Sequence, residues 1–156
     1  MSFELKEKGN QLFKEGDYSG AEEMYSQAIL KTPTEPTFFT NRSLTRLRLH
    51  DHAGSAQDSR RALTLYGPKS PSSLKSSWYL SQALVALHRP QEAYEVAIDA
   101  YRLSLTTKNV QTENLSRMVL RAKQAIWAAK ETMRLREMDE VLGRVEGLLE
   151  GEVEMG

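Results

Sequence analysis

The chain has 156 residues, 21 of them basic and 21 acidic, so its formal net charge is 0, and it contains no cysteine. A neutral sum argues against a general nucleic-acid partner, and the lack of cysteine excludes disulfides and thiol nucleophiles. No wholly apolar run is longer than that of residues 125–129, which is too short to span a membrane. We expect one domain or one short repeat array in a reducing compartment, cytoplasmic and also nuclear, with no membrane partner.

The first two thirds of the chain repeat. Two segments align with a shift of 34 residues, and a third follows after a further shift of 38, with small residues at the aligned positions. Each copy is predicted to form two helices and a short turn, over residues 2–35, 36–69 and 74–105. The turns are predicted at Gly16-Asp17, His50-Asp51-His52 and His88-Arg89-Pro90. Because one hairpin cannot bury its apolar face alone, the three must stack, which predicts an all-α right-handed solenoid of helical hairpins.

A long helix is predicted after the third copy, over residues 112–147. Its apolar stripe at helical spacing indicates a cap on the open end of the last hairpin: Leu115, Met118, Val119, Ala122, Ile126 and Ala129. The acidic residues 148–156 are expected to fray. Basic side chains between residues 115 and 136 also allow a membrane-surface or calmodulin-binding helix, an alternative that explains the apolar stripe less well than a cap does.

No catalytic constellation stands out in the sequence. The histidines at positions 50 and 52 fall in a turn with no third ligand nearby, which favours a solvated loop over a metal site. The chain has no glycine-rich phosphate loop, and no serine is placed beside a histidine by a recognisable motif. We therefore predict that this chain by itself is not an enzyme and uses neither a metal nor another cofactor.

The concave side of such a solenoid is lined by the first helix of each hairpin, and here it is basic. The side chains on this face are Lys6, Asn10, Phe13 and Lys14 in the first hairpin, Thr37, Asn41, Leu44 and Arg48 in the second, and Lys75, Trp78, Tyr79 and Gln82 in the third. Lysines can donate charge-assisted hydrogen bonds to a carboxylate, asparagines can bind a peptide backbone, and aromatic rings offer apolar surface. The groove is therefore predicted to bind the acidic carboxyl-terminal end of an extended peptide.

The 34-residue period resembles the tetratricopeptide repeat (TPR), and this resemblance covers residues 2–105. Its residues are Gly9, Ala21, Tyr25, Ala28 and Pro33. The stretches 6–10 and 40–44, together with Lys75, resemble the carboxylate clamp of TPR cochaperones, which bind the Glu-Glu-Val-Asp tails of heat shock protein 70 and heat shock protein 90. The resemblance implies that Lys6, Asn10, Asn41 and Lys75 hold the terminal aspartate and that Arg48 assists.

One branch of that family is closer than the others. Tyr79 stands where many clamps have an arginine, and this aromatic, with residues 60–63 and 91–101, resembles the CHIP-type U-box E3 ubiquitin-protein ligases. The resemblance implies a chaperone-recruiting part of a ligase in protein quality control, whose U-box, not present in this chain, would engage a ubiquitin-conjugating enzyme. The alternative is a TPR scaffold or adaptor that binds other partners without recognising a chaperone tail.

Overall fold

The computed structural model covers residues 1–156 and is all-α, as predicted. The helices are α1 (Ser2–Glu15), α2 (Tyr18–Lys31), α3 (Pro36–Arg48), α4 (His52–Tyr66), α5 (Leu74–Ala86), α6 (Pro90–Thr107) and α7 (Thr112–Met155), with a short 3-10 turn at Pro71–Ser73 before α5. The first six helices form three sequential hairpins, and each hairpin packs against the next. The predicted stack of helical hairpins followed by a long helix is confirmed.

The three turns inside the hairpins share one backbone conformation. Gly16, His50 and His88 all have a positive φ, of 85°, 59° and 59°, and each follows the first helix of its hairpin within two residues. In the first two hairpins the next residue, Asp17 or Asp51, caps the following helix by accepting a hydrogen bond of 2.9 Å from the backbone N–H three residues later. The repeat detected in the sequence is therefore a repeat of turn geometry, although only one of the three positive-φ positions carries the glycine that this conformation favours.

The first hairpin packs through its small residues. Ala21 and Ala28 of α2 are fully buried, and Gly9 of α1 lies against the ring of Tyr25. A Cβ atom at position 9 would come within 2.7 Å of Tyr25 Cε1, which no side chain tolerates without movement. The glycine at this position is thus required by the close approach of two helices.

The second hairpin replaces this apolar contact with polar ones. Ser43, Ser55 and Ser59 are fully buried, and the hydroxyl of Ser43 lies 2.9 Å from that of Ser55 and 2.6 Å from that of Ser59. The hydroxyls satisfy one another, so their burial carries no unpaired polar group. This cluster explains why the second copy departs from the apolar pattern of the first.

A buried ionic cluster joins α2, α3 and α4. Asp58 is only 2% exposed and accepts hydrogen bonds from Arg42 at 2.7 and 2.8 Å and from Arg46 at 3.0 Å. Arg46 also donates to Glu22 at 2.7 Å, and Arg42 donates to the Ser26 hydroxyl at 3.0 Å. Burial alone lowers the pKa of Arg46, but the bond to Glu22 and the nearby carboxylates raise it overall, so this side chain stays charged.

The beginning of α7 closes the core of the residues Met1–Lys123, which form one compact unit. Leu115 clusters with Leu74 and Ala100, and Ala122 clusters with Leu80 and Leu84. Met118, between them, is 3% exposed. The apolar face of this part of α7 is thus occupied by the repeats, so it is not free for a membrane or for calmodulin.

The residues Gln124–Gly156 form a second unit. Here α7 continues as helix to Met155, beyond the predicted end at residue 147 and through most of the stretch expected to fray. Many large apolar side chains of this unit are exposed: Trp127, Met133, Leu135, Met138, Val141, Leu142, Val145, Leu148, Leu149, Val153 and Met155. None of the helices of the chain combines the length and the apolar character needed to cross a membrane.

Candidate functional site

A cavity of about 370 Å³ lies between α3, α5 and the loop before α7. Two of the predicted clamp residues, Asn41 of α3 and Lys75 of α5, line it together. The remaining lining residues are Thr37, Thr40, Tyr66, Pro71, Ser72, Asn109, Val110 and Gln111. Lys75 is exposed and takes part in no ion pair within the chain, so its ammonium group is available to a ligand carboxylate.

A second cavity, of about 150 Å³, adjoins the first. Its lining includes Asn10, Phe13, Lys14, Tyr25, Asn41 and Leu44. Because Asn41 lines both cavities, they lie side by side across α1, α3 and α5, and together they are called the groove here. The structure therefore brings together seven of the residues predicted on this face: Asn10, Asn41, Lys75, Phe13, Lys14, Leu44 and Thr37.

The two asparagines of this groove are held in place by hydrogen bonds. The Tyr25 hydroxyl donates to Asn10 Oδ1 at 2.7 Å, and Asn41 Nδ2 donates to the same oxygen at 3.3 Å. Burial raises the pKa of Tyr25 to about 12, so its hydroxyl keeps its proton at neutral pH. The amides are thus oriented before any ligand arrives, which reduces the entropy lost on binding. The hydroxyl of Tyr25 was not among the predicted site residues, although the ring at this position belongs to the repeat pattern.

Lys6 does not line either cavity of the groove, and it lies next to an acidic residue, Glu7, that was not among the predicted site residues. Its side chain is 24% exposed, and its Nζ lies 3.2 Å from Glu7 Oε1 and 5.2 Å from the centre of the Phe3 ring. Glu7 also accepts a hydrogen bond of 3.3 Å from Asn10 Nδ2. The bonds from Lys6 and then Asn10 lower the pKa of Glu7. Without a ligand, Glu7 therefore occupies the donors predicted to bind a carboxylate. Its spacing of three residues from Asn10 on the same helix is the sequence signal that could have indicated this contact.

The aromatic residues predicted on α5 have different environments. Trp78 is partly exposed, whereas Tyr79 is only 7% exposed, and the two ring centres lie 5.3 Å apart. Burial raises the pKa of Tyr79, and the charge of exposed Arg48 partly offsets this effect. The prediction that Tyr79 offers surface to a peptide is thus corrected, because helix packing turns its ring into the domain. Arg48 lies near Tyr79 but does not line either cavity of the groove.

A third cavity, of about 190 Å³, lies between α5 and the start of α7. The predicted groove residues Trp78 and Gln82 line it from α5, and Asn114, Arg117, Met118 and Arg121 line it from α7. The four residues from α7 were not predicted as site residues, because nothing local in the sequence shows how a capping helix is oriented. In the rest of the chain, no three side chains of the metal-binding types come together, and His50 and His52 stand with their ring centres 6.0 Å apart.

Comparison with known proteins agrees with this geometry. No family model matches the chain. Over 152 residues it is 28% identical to the E3 ubiquitin-protein ligase CHIP of Arabidopsis thaliana, covering 96% of this chain and 53% of that protein. Over 144 residues it is 33% identical to RNA polymerase II-associated protein 3 of Homo sapiens, covering 92% of this chain and 20% of that one. The chain thus spans about half the length of the first relative and about a fifth of the second.

A solved structure is similar to this chain in its fold as well. The first TPR of Spaghetti (RPAP3), bound to the HSP90 peptide SRMEEVD, matches with a TM-score of 0.70 and 27% identity, covering 80% of this chain and 92% of that one. Three stacked hairpins of this kind, with a groove across their first helices, define a tetratricopeptide-repeat domain. Within that class, the chain is homologous to the TPR domain of CHIP, at the 28% identity given above.

Proposed function

We propose that this chain is a cochaperone module that binds the carboxyl-terminal tails of heat shock protein 70 and heat shock protein 90. The observation that carries the proposal is the position of Asn41, which lines both the cavity containing Lys75 and the cavity containing Asn10. A ligand carboxylate placed at this junction meets amides and an ammonium group, and no acidic side chain lines either cavity. The peptide in the matching RPAP3 complex ends in Glu-Glu-Val-Asp, which is an acidic end of the required kind.

Each groove residue has a role that follows from its chemistry. Lys6, Asn10, Asn41 and Lys75 bind the terminal aspartate with its two carboxylates, and Arg48 adds positive charge nearby. Charge-assisted hydrogen bonds of this type contribute about 1.5–3 kcal/mol each. The apolar surfaces of Phe13, Leu44 and Trp78 pack against aliphatic side chains upstream, and Lys14 and Gln82 lie along the path of the peptide.

Substitution of the lysines tests this function. We expect Lys75→Ala to weaken binding of a fluorescent peptide ending in Glu-Glu-Val-Asp about ten-fold or more, since one charge-assisted bond is lost. Lys8→Ala, which removes an exposed lysine of α1 from outside the groove cavities, is the matched control and should bind as the wild type does. Circular dichroism should show the same helicity in all three proteins. Equal affinities for the Lys75→Ala and Lys8→Ala variants would contradict the proposal.

The homology with CHIP supports a more specific role. We propose that the chain serves as the chaperone-recruiting part of a CHIP-type ubiquitin ligase in cytoplasmic protein quality control, with a ubiquitin-conjugating enzyme as a partner of the whole protein. The downstream coding sequence of the natural gene tests this role. A U-box in it would support the ligase assignment, and a reading frame without one would reject it.

The exposed apolar residues of the unit Gln124–Gly156 favour a second candidate function, that of a scaffold which joins other proteins through this helix. Truncation after Lys123 separates the two functions, because it leaves the core of the first unit intact. A scaffold would lose its partner in a pull-down on this truncation and keep it with Lys75→Ala. A tail-binding module would show the reverse.

A further inference from the structure

The loop between the second and third hairpins contains the four extra residues by which the repeat lengthens from 34 to 38. It runs from Gly67 to the short 3-10 turn Pro71–Ser73, which leads directly into α5. Two residues of this turn, Pro71 and Ser72, line the cavity of about 370 Å³ that contains Lys75. The lengthened loop therefore borders the part of the groove that is proposed to bind the tail carboxylate.

Ser72 has an exposed hydroxyl that does not hold this turn together. The neighbouring Ser73 is buried, and its backbone N–H and its hydroxyl donate to the carbonyl of Ser70 at 3.0 and 2.6 Å. The Ser72 hydroxyl is exposed to solvent and takes no part in these bonds. A single 3-10 turn opens at little cost, because few hydrogen bonds hold it. An enzyme can therefore reach this hydroxyl without unfolding an α-helix.

The surroundings of Ser72 favour a negative charge. Lys75 lies three residues later, so on a helical turn its side chain is a neighbour of Ser72, and Lys69 lies three residues earlier and is exposed. No acidic side chain lines the cavity, and the carboxylate of Glu35 accepts a hydrogen bond of 2.7 Å from the Thr37 hydroxyl. The start of α5 adds to this effect, because a helix dipole stabilises negative charge there. A phosphate group on Ser72 is thus well accommodated.

We propose that Ser72 is a phosphorylation site that switches off binding of the tail. In the modification, the Ser72 hydroxyl oxygen attacks the γ-phosphorus of a nucleoside triphosphate held by a protein kinase, and an O–P bond forms. The bond from that phosphorus to its bridging oxygen breaks, the nucleoside diphosphate leaves, and the hydroxyl proton passes to a base of the kinase. Lys69 gives the site a positive charge that a kinase with an acidic substrate groove recognises.

The phosphate competes with the ligand for one ammonium group. It carries about 1.5 to 2 negative charges at neutral pH and pairs with Lys75 from within the chain. This pair forms at a high effective concentration, whereas a peptide must bring its carboxylate from solution. The phosphate also repels the two carboxylates of a terminal aspartate. The inference rests on the proposed function, because the switch acts on binding of the tail.

Phosphoserine installed at position 72 through an expanded genetic code tests the switch. We expect it to weaken binding of a fluorescent peptide ending in Glu-Glu-Val-Asp about ten-fold or more in anisotropy. Phosphoserine in place of Thr106, an exposed residue of α6 outside the groove, is the matched control and should bind within about two-fold of the wild type. Ser72→Ala should bind as the wild type does. Equal affinities for the two phosphorylated proteins, or an equal loss in Ser72→Ala, would overturn the proposal.

A second measurement detects the ion pair without any peptide. Titration followed by phosphorus-31 NMR gives the pKa of the phosphate in each phosphorylated protein. Pairing with Lys75 favours the doubly charged phosphate, so the pKa of the phosphate at position 72 should lie below that at position 106 and rise in the Lys75→Ala background. A pKa that Lys75→Ala leaves unchanged would overturn the pairing.

The binding results separate the switch from the proposed function. If the unmodified wild type does not bind the peptide, the proposed function fails, and the switch fails with it even where the phosphate pairs with Lys75. If the wild type binds and phosphoserine at position 72 has no effect, the function stands and only the switch is wrong.

The modification itself is tested on the chain expressed in insect cells and purified with phosphatase inhibitors. Tandem mass spectrometry should find phosphate on Ser72, and less of it in the variant Lys69→Ala, which removes the upstream charge. A chain that is unmodified at Ser72 would overturn the assignment of the site.

Discussion

Removal of the Asp58 carboxylate is the most informative perturbation of the fold. In the variant Asp58→Ala, two guanidinium groups lose their shared acceptor, and three charge-assisted hydrogen bonds of 2.7 to 3.0 Å disappear. The side chains of Arg42 and Arg46 are only 16% and 18% exposed, so water replaces these bonds poorly. Breaking a buried ion pair by removing one partner costs about 3–5 kcal/mol. Arg46 keeps its bond to Glu22, and Arg42 keeps its bond to a serine. The expected loss in the free energy of unfolding is therefore near the lower end of this range, at about 3 kcal/mol.

Thermal unfolding followed by circular dichroism measures this loss. For a unit of this size, 3 kcal/mol corresponds to a fall in Tm of about 12 °C. The control is Arg60→Ala, which removes an exposed pair to Glu92 at 3.5 Å and should cost under about 0.5 kcal/mol. A loss below about 1 kcal/mol for Asp58→Ala, similar to that of the control, would refute the view that this cluster holds the first two hairpins together.

Three further substitutions follow from single contacts. Glu7→Gln removes the carboxylate that competes for Lys6 and should tighten binding of the tail peptide about three-fold in fluorescence anisotropy at low salt. Because hydrogen bonding lowers the pKa of Glu7, the wild type shows this competition throughout the neutral pH range. An unchanged affinity would contradict the competition. His88→Gly relieves the strain of a side chain at a positive φ of 59° and should raise the free energy of unfolding, measured by urea titration, by about 0.5–1 kcal/mol. A loss of stability would show instead that the imidazole contributes a contact. Gly9→Ala forces a Cβ atom against Tyr25 and should cost about 1–3 kcal/mol in the same assay, and a neutral result would mean that α1 and α2 separate freely.

The repeated elements were accessible from the sequence because they depend on local rules. The repeat, with its shifts of 34 and then 38 residues, located the turns at Gly16, His50 and His88, and the structure gives all three a positive φ. The periodicity of the first helices likewise placed Asn10, Asn41 and Lys75 on one side, where they line adjoining cavities. Both results follow from the fixed geometry of an α-helix, which relates spacing to direction.

What the sequence did not show depends on contacts between distant segments. Whether Tyr79 faces the groove or the core is decided by how α5 packs on its neighbours, and the ring ends up 7% exposed. The orientation of α7, which brings Arg117 and Arg121 to Trp78, is set by Leu115 and Met118 in the core of the repeats. The helix also continues through Gly151 to Met155, across the acidic residues that were expected to fray, because the leucine and glutamate residues of this stretch are strong helix formers.

The chemistry of the peptide end offers the most direct test of the tail-binding account. Two peptides with the same sequence, ending in Glu-Glu-Val-Asp with either a free carboxylate or a carboxamide, are titrated into the wild-type chain in an isothermal calorimeter. Recognition by Lys75 and the paired asparagines predicts that the carboxamide peptide loses at least about ten-fold in affinity, and that salt weakens the free-acid peptide more strongly. Equal binding of the two peptides would contradict the account.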